Sequence, residues 1–394
     1  MAVVVQKYGG SSVADVDRIQ SVAERVARTR ASGRDVVVVV SAMGDTTDTL
    51  LGLARRVSAS PSRRELDMLL SAGERIAMAL LAIALNERGV PAVSFTGSQS
   101  GIITSDTHFN ARIVEVRPFR VQDELARGKV VIVAGYQGVS YKKEVTTLGR
   151  GGSDTTAVAL AAALDAEACE IYSDVAGVFS ADPRVVPTAR RLGEISYEEM
   201  QEMAEAGARV LNAQAVEFAK ERGIAIYARA SGGGDEETLI RRFPPRAPGR
   251  IVGVASERGL VTLALARGAD SALPALLEAL DARGAGGKQL RSEADGASLV
   301  LSLENLPDYG ALEEELTRRF AGLRFREGAG AVSAIGAGIN ATYRNVRAAL
   351  DVMRRLDLAV LGLSTSSFRI SLLIDEAAVD EAVRALHREL VEAD

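Results

Sequence analysis

The chain has 394 residues, 47% hydrophobic and 25% charged, the balance of a globular protein, and its length implies two or three domains at roughly 100–200 residues each. A net charge of −5 supplies no basic field to draw it onto nucleic acid or an anionic membrane. With two histidines, His108 and His387, and one cysteine, Cys169, a multi-histidine metal site, a cysteine cluster and an intrachain disulfide are excluded, and a Ser-His-Asp triad is disfavoured.

The first forty residues read as strand, turn, helix, strand. Val3–Gln6 is a short β-branched run, Lys7–Ser12 a glycine turn, and Asp15–Arg30 has helical spacing at Val16, Ile19, Val22 and Val26. Val36–Val40 is an uninterrupted valine run, the mark of a strand buried on both faces in a parallel sheet. The alternation continues through a helix over Leu66–Glu87, strands at Pro91–Phe95 and Val130–Ala134, and a helix over Thr155–Leu164. Strands at Glu170–Ser173 and Ile224–Ala228 complete one doubly wound α/β domain. Cys169 sits in an apolar-flanked stretch and reads as a packed core thiol. The N-terminal apolar run is too short for a signal peptide, and the longest later one, around Ile76–Leu85, ends in Asn86-Glu87-Arg88. A soluble, cytoplasmic protein is expected.

Ser231–Asp235 and Phe243–Gly249 are the strongest punctuation in the chain and mark a domain boundary. Beyond it the elements are short and strands come in adjacent pairs. Leu260–Ala266, Ala272–Ala282, Lys288–Glu293, Ala297–Leu303, Tyr309–Phe320 and Leu323–Arg326 spell βαββαβ. A second copy starts at Val332–Ile335 and lacks a final strand, whereas Ile251–Ala255 is a spare strand upstream of the first copy. The spare strand is expected to complete the second sheet, with the first copy (258–328) inserted within the second (251–257 and 329–394), after a catalytic domain over 1–240 and a linker over 241–250.

In an open parallel sheet, ligands bind beyond the carboxyl ends of the strands, and four polar turns fall there. Lys7–Ser12 offers glycine N–H groups and an ammonium to phosphate, although a plain βα turn has the same composition. Ser41–Thr47 reads either as a small-ligand turn or as a helix cap built on Asp45, Thr46 or Asp48. Ser71–Arg75 places Glu74 in an apolar helix. Arg75 cannot face it from the next position, so Glu74 reads as a receptor for a ligand ammonium. Thr147–Thr156 carries Gly149, Gly151 and Gly152 before a helix start, an anion site, with Arg150 able to grip a carboxylate. After the next strand, Ser173 and Asp174, then Phe179, Asp182 and Arg184, are nucleotide-binding candidates.

The segments KYGGSS, SAMGDTTD, SAGER, SFTGSQSG, TTLGRGGSDTTA, SDVAGVFSADPR and GARVL, in this order, resemble an aspartate kinase over roughly residues 1–240. The resemblance implies an amino-acid-kinase three-layer α/β/α sandwich followed by two ferredoxin-like βαββαβ ACT domains. It implies transfer of the ATP γ-phosphoryl group, with Mg²⁺ held mainly by the phosphates, to the side-chain carboxylate of L-aspartate. That acceptor is ionised near a pKa of ~3.9 and needs no general base, so scarce histidine is no obstacle. Position by position, Lys7 would stabilise the transferring group and Asp154 would orient Lys7. Ser41, Thr47, Glu74, Arg150, Gly151, Gly152 and Ser153 would bind aspartate. Lys7, Tyr8, Gly9, Gly10, Ser173, Asp174, Phe179, Asp182, Arg184 and Arg209 would surround ATP, Arg209 standing where the family usually has lysine. Homodimerisation through the ACT sheets is implied as well.

The tail departs from the family. The usual Asp-x-Pro-Gly turn of the first ACT copy reads Arg267-Gly268-Ala269-Asp270-Ser271-Ala272, and the usual Gln-Asn pair is replaced within Leu290-Arg291-Ser292-Glu293. Ser364-Thr365-Ser366 is kept, with Ser367 where Glu is common. Feedback by lysine or threonine is therefore expected to be weakened or altered, and a purely structural pairing role for the ACT sheets is the alternative. Two other functions compete: a kinase of the same fold acting on another amino acid, and a catalytically silent ACT-based sensor.

Overall fold

Buried β-branched residues seed the first half of the molecule. The computed structural model describes residues 2–149, 151–208, 210–234, 236–242, 249–266, 272–293, 296–306 and 308–392. It divides into two compact units. One comprises Met1–Val178, Arg191–Ala204 and Arg209–Pro244, and the other Phe179–Arg190, Glu205–Ala208 and Pro245–Asp394.

In chain order the elements to residue 240 begin with β1 (Val3–Tyr8), α1 (Val16–Ala31), β2 (Asp35–Val40), α2 (Thr46–Val57), α3 (Arg63–Leu70), α4 (Ala72–Glu87) and β3 (Ala92–Phe95). There follow β4 (Ile102–Thr104), β5 (Ile113–Val116), α5 (Phe119–Ala126), β6 (Val130–Ala134), β7 (Gln137–Ser140), β8 (Val145–Thr147) and α6 (Gly152–Ala163). The last are β9 (Ala168–Ser173), β10 (Glu194–Ile195), α7 (Tyr197–Glu205), α8 (Ala213–Arg222), β11 (Ile226–Ala230) and β12 (Glu237–Ile240).

The main sheet has the order β10-β12-β11-β9-β1-β2-β6-β3. The run from β11 to β3 is parallel throughout, and β12 is antiparallel to β11. Ile19, Val22 and Val26 of α1 and Leu81 and Leu85 of α4 pack on Val36, Val38, Val40 and Ile132. On the opposite face lies α6, in which every residue from Gly152 to Ala161 is buried. From Ala157 onward this helix is apolar on every side and therefore needs enclosure, and α8 packs on its outer side. Three layers result. Because the strands are parallel, Tyr8, Val40, Phe95, Ala134, Ser173 and Ala230 all end at one edge of the sheet.

A four-stranded sheet, β5-β4-β7-β8, is an addition that the sequence pattern did not disclose. The single helix expected over Leu66–Glu87 is jointed at Ser71, between α3 and α4. Contrary to expectation, one helical stretch, Arg63–Glu87, is apolar and long enough to cross a membrane by composition, but 56% of its most apolar window is buried within the protein.

The second unit carries β13 (Gly253–Ala266), α9 (Leu273–Ala282), β14 (Gly287–Glu293), β15 (Gly296–Ser302), α10 (Tyr309–Arg319) and β16 (Arg324–Ile335). Then come α11 (Arg344–Arg355), β17 (Gly362–Thr365), β18 (Arg369–Asp375) and α12 (Val379–Leu390). They form one antiparallel sheet, β14-β15-β13-β16-β18-β17. Four separate strands were expected where two continuous ones occur. The first half of β13, Gly253–Glu257, pairs with Ala331–Ile335, and its second half pairs with β15 and with Arg324–Arg326. Leu276, Leu280, Leu312 and Leu316 of α9 and α10 form one core with β13 and β15. Val352, Val383 and Leu386 of α11 and α12 form another with β16 and β18.

Candidate active site

The period-2 alternation of β1 sorts its side chains between two layers. Gln6 bonds Thr29 of α1 at 3.1 Å, and the Tyr8 ring lies in the core under α1 and α4. Lys7 therefore points at α6, where its Nζ meets Asp154 Oδ1 at 2.6 Å with both side chains about nine-tenths buried. Asp154 is in the first turn of α6, because that helix opens at Gly152 rather than at Thr155 as expected. The helix N-terminus favours its carboxylate, and the carboxylate holds the ammonium. An ammonium so fixed at the carboxyl edge of a parallel sheet is a preorganised positive charge for a transferring anion.

The backbone around Lys7 is packed too closely for side chains. A Cβ on Gly10 would lie 2.9 Å from the Ala42 carbonyl oxygen, and Gly44 N–H donates to the Gly10 carbonyl at 3.1 Å. Gly9 N–H donates to the Tyr172 carbonyl at 3.2 Å. These contacts clamp the turns after β1, β2 and β9 together. Tyr8 is stacked on Tyr172, with ring centroids 4.7 Å apart, and fully buried, and its carbonyl accepts the Ser41 N–H at 3.1 Å, so contrary to expectation it is closed to a ligand.

Glu74 lies in the first turn of α4 and is 3% exposed. Its Oε1 accepts the Ala42 N–H at 3.1 Å, while Oε2 is buried without a hydrogen-bond partner. Burial pushes its pKa up to about 7 from an ordinary 4.5. Gly73 permits this approach, since a Cβ there would come within 2.7 Å of the Ala42 Cβ. Ser41 and Thr47 are half-buried on the same turn, which starts α2. Of the cap candidates Asp45, Thr46 and Asp48, Asp45 holds the N-cap position but makes no side-chain capping bond, and the Thr46 hydroxyl donates to the Met43 carbonyl.

Between β8 and α6, Gly149 and Gly151 adopt φ of +75° and +71°, where glycine alone is unstrained. Ser153 is buried against Gly135, whose added Cβ would sit 2.6 Å from its hydroxyl oxygen. Arg150 and Arg209 lie outside the described residues. Lys7, Gly9, Gly10, Ser41, Thr47, Glu74, Gly151, Gly152, Ser153 and Asp154 all fall in the first unit, on strand ends, turns and the first turns of helices. Ser173 ends β9 with its hydroxyl bonded into the Val175 turn, and Asp174 beside it is exposed.

Phe179, Asp182 and Arg184 are grouped differently. They fall in Phe179–Arg190, which belongs to the second unit, where Ala181 and Val186 join the core of α11 and α12. Arg184 is paired with Asp182 at 2.8 Å, and Ser180 Oγ bonds His387 Nε2 of α12 at 2.8 Å. Cys169 is wholly buried and its thiol pKa is raised by desolvation, which fits a core thiol. Among the described residues, no group of three or more His, Cys, Asp or Glu side chains could hold a metal ion.

Comparison with known proteins agrees with this geometry. A family model described as "Amino acid kinase family" matches residues 2–228. An aspartokinase of Mycolicibacterium smegmatis is 45% identical over 412 residues, spanning 98% of this chain and 96% of that protein. An aspartokinase of Corynebacterium glutamicum is 43% identical, spanning 99% and 96% respectively. The crystal structure of E. coli aspartokinase III with aspartate and ADP superposes with a TM-score of 0.88 over 98% of this chain and 99% of that one, a likeness of fold at 24% identity.

Proposed function

This chain belongs to the amino acid kinase family, and within it to the aspartokinases, and from that premise we propose how its residues carry the reaction. The reaction is transfer of the ATP γ-phosphoryl group to the side-chain carboxylate of L-aspartate, giving 4-phospho-L-aspartate and ADP. The observation that carries the assignment of roles is the buried Lys7–Asp154 pair at 2.6 Å beneath the glycine turns. Lys7 neutralises charge that develops on the transferring group, and Asp154 holds Lys7 in place. Glu74 receives the substrate ammonium on its unpartnered oxygen. Arg150 takes a carboxylate, and Ser41, Thr47, Gly151, Gly152 and Ser153 line the aspartate.

ATP enters as its Mg²⁺ complex, the metal held mainly by phosphates. The turns at Gly9–Gly10 and Ser173–Asp174 cradle it, with Arg209 on the nucleotide side. The catalytic domain covers 1–240, and the two ACT modules follow, the first (258–328) nested in the second (251–257 and 329–394). The enzyme acts in the cytoplasm as a homodimer joined through its ACT sheets. Altered tail motifs weaken or alter feedback by lysine and threonine, and strong inhibition by that pair at millimolar level would refute this point. A hydroxamate assay with aspartate, glutamate and N-acetylglutamate in parallel tests the acceptor. Activity confined to aspartate is expected, and a preference for either other acid would overturn it.

A further inference from the structure

One buried carboxylate takes no part in the chemistry described so far. Asp67 on α3 is 0% exposed and is the focus of four contacts. Its Oδ1 accepts from the Thr147 hydroxyl at 2.5 Å and the Phe109 N–H at 3.0 Å. Its Oδ2 meets His108 Nδ1 at 2.6 Å and the Phe109 N–H at 3.2 Å. Removing a charge from water destabilises a fold unless it is paired and hydrogen-bonded, so so many donors are drawn to one group for a reason of placement.

The donors come from two segments that converge on one loop. Thr147 ends β8, two residues before Gly149, and its carbonyl accepts the Ala111 N–H at 2.8 Å. The Asn110 side-chain oxygen lies 2.8 Å from where a Cβ on Gly149 would stand. Between them, Phe109 holds φ +70°, a left-handed conformation that is strained for an aromatic residue. Such strain persists only when its surroundings over-determine it. Here Asp67 captures the Phe109 amide while its ring packs with Leu66 and Leu70 of α3. Seven residues beyond Asp67, past the joint at Ser71 and in the first turn of α4, stands Glu74. Two successive helices thus carry the two carboxylates, α4 the one facing the Ser41–Thr47 turn and α3 the one pinning the end of β8 just before Gly149.

We propose that Asp67, clipped by His108, is the positioning residue that sets Gly149 and, hydrogen-bonded to it, the Gly151–Ser153 loop for the amino-acid acceptor. It governs affinity for aspartate without touching it. The inference rests on reading that loop as the acceptor site. The charged groups around His108 are Asp67 from α3 and Asp106 from its own loop, the latter paired with Lys142 of the β7–β8 turn.

The test is steady-state kinetics on the full chain, varying aspartate and ATP separately. Thr147→Val is expected to raise the aspartate KM about tenfold, the loss of one hydrogen bond to a charged group, with the ATP KM within about twofold. Asp67→Asn keeps an oxygen for Thr147 and Phe109 but turns an NH₂ toward His108 Nδ1 and removes the carboxylate charge. Its aspartate KM is expected to rise as that of Thr147→Val does, with kcat and the ATP KM again within about twofold. Circular dichroism confirms folding, and if Asp67→Asn does not fold, Thr147→Val decides alone. Aspartate and ATP KM values that move together, or neither moving, would overturn the proposal. Absence of wild-type turnover with aspartate would instead overturn the acceptor reading beneath it.

Discussion

Glu74 ties substrate recognition to a measurable cost in stability. Its carboxyl titrates at about 7 when folded, against an ordinary 4.5 in an unfolded chain. A raised folded pKa stabilises the fold fully below the unfolded value, and that contribution is lost as pH rises through the folded one. A gap of about 2.5 in pKa at 1.36 kcal/mol per unit caps the penalty near 3 kcal/mol above pH 8. Less than about 1 kcal/mol of it is felt at pH 5. Glu74→Gln keeps an oxygen for the Ala42 N–H and removes the titration. Relative to wild type, the variant should gain roughly 2–2.5 kcal/mol between pH 5 and pH 8 in urea unfolding of the ligand-free protein. The same variant should lose aspartate affinity, because a neutral amide does not replace a carboxylate facing an ammonium. A second arm uses titration calorimetry in buffers of different ionisation enthalpy. Aspartate binding near pH 6.5 should release protons from wild type and fewer from Glu74→Gln. A stability difference that does not change with pH would refute the reasoning, whatever the activity.

Two further predictions concern the same edge of the sheet. Lys7→Ala should lower turnover by about 10³-fold or more with a small change in aspartate KM. It should also cost about 3–5 kcal/mol of stability by stranding Asp154. The double variant Lys7→Met/Asp154→Asn should recover stability but not turnover, and near-normal turnover in either variant would remove Lys7 from the mechanism. Gly135→Ala places a methyl 2.6 Å from the Ser153 hydroxyl and 2.8 Å from its Cβ. It should cost about 1–3 kcal/mol by overpacking and raise the aspartate KM, and a silent Gly135→Ala would show that Ser153 moves freely.

Much of this site is legible in the chain, for identifiable reasons. The valine run and the apolar stretch Val130–Ala134 declare buried parallel strands, and the glycine turns mark where those strands end. Glu74 stands out because a charge in an apolar helix has no packing role. The pairing of Lys7 with Asp154, by contrast, came from family resemblance, since nothing in the spacing joins residues so far apart. The strands β4, β5, β7 and β8 are three or four residues long, too short to establish a period. Asp67 was overlooked because charged residues in helices usually face water. Its signal is position: it lies on the stripe with Leu66 and Leu70, seven residues from Glu74. The strands expected at Ile251–Ala255 and Leu260–Ala266, and at Leu323–Arg326 and Val332–Ile335, are joined in pairs because the backbone passes through Gly259 and Gly328 as bends within continuous strands, with φ of +65° and +72°.

The continuity of β13 and β16 has a consequence for the order in which the protein can be made. Gly253–Glu257 leaves the ribosome before any of the strand it pairs with exists, and the whole first βαββαβ copy must follow before Ala331–Ile335 appears. The nested copy has all four of its strands first and can close on its own helices. Its outer strands then protrude as two half-strands, already aligned side by side, onto which β18 and β17 add. Until they do, an apolar strand edge stands open, and it is there that a stalled or truncated chain should recruit a neighbour.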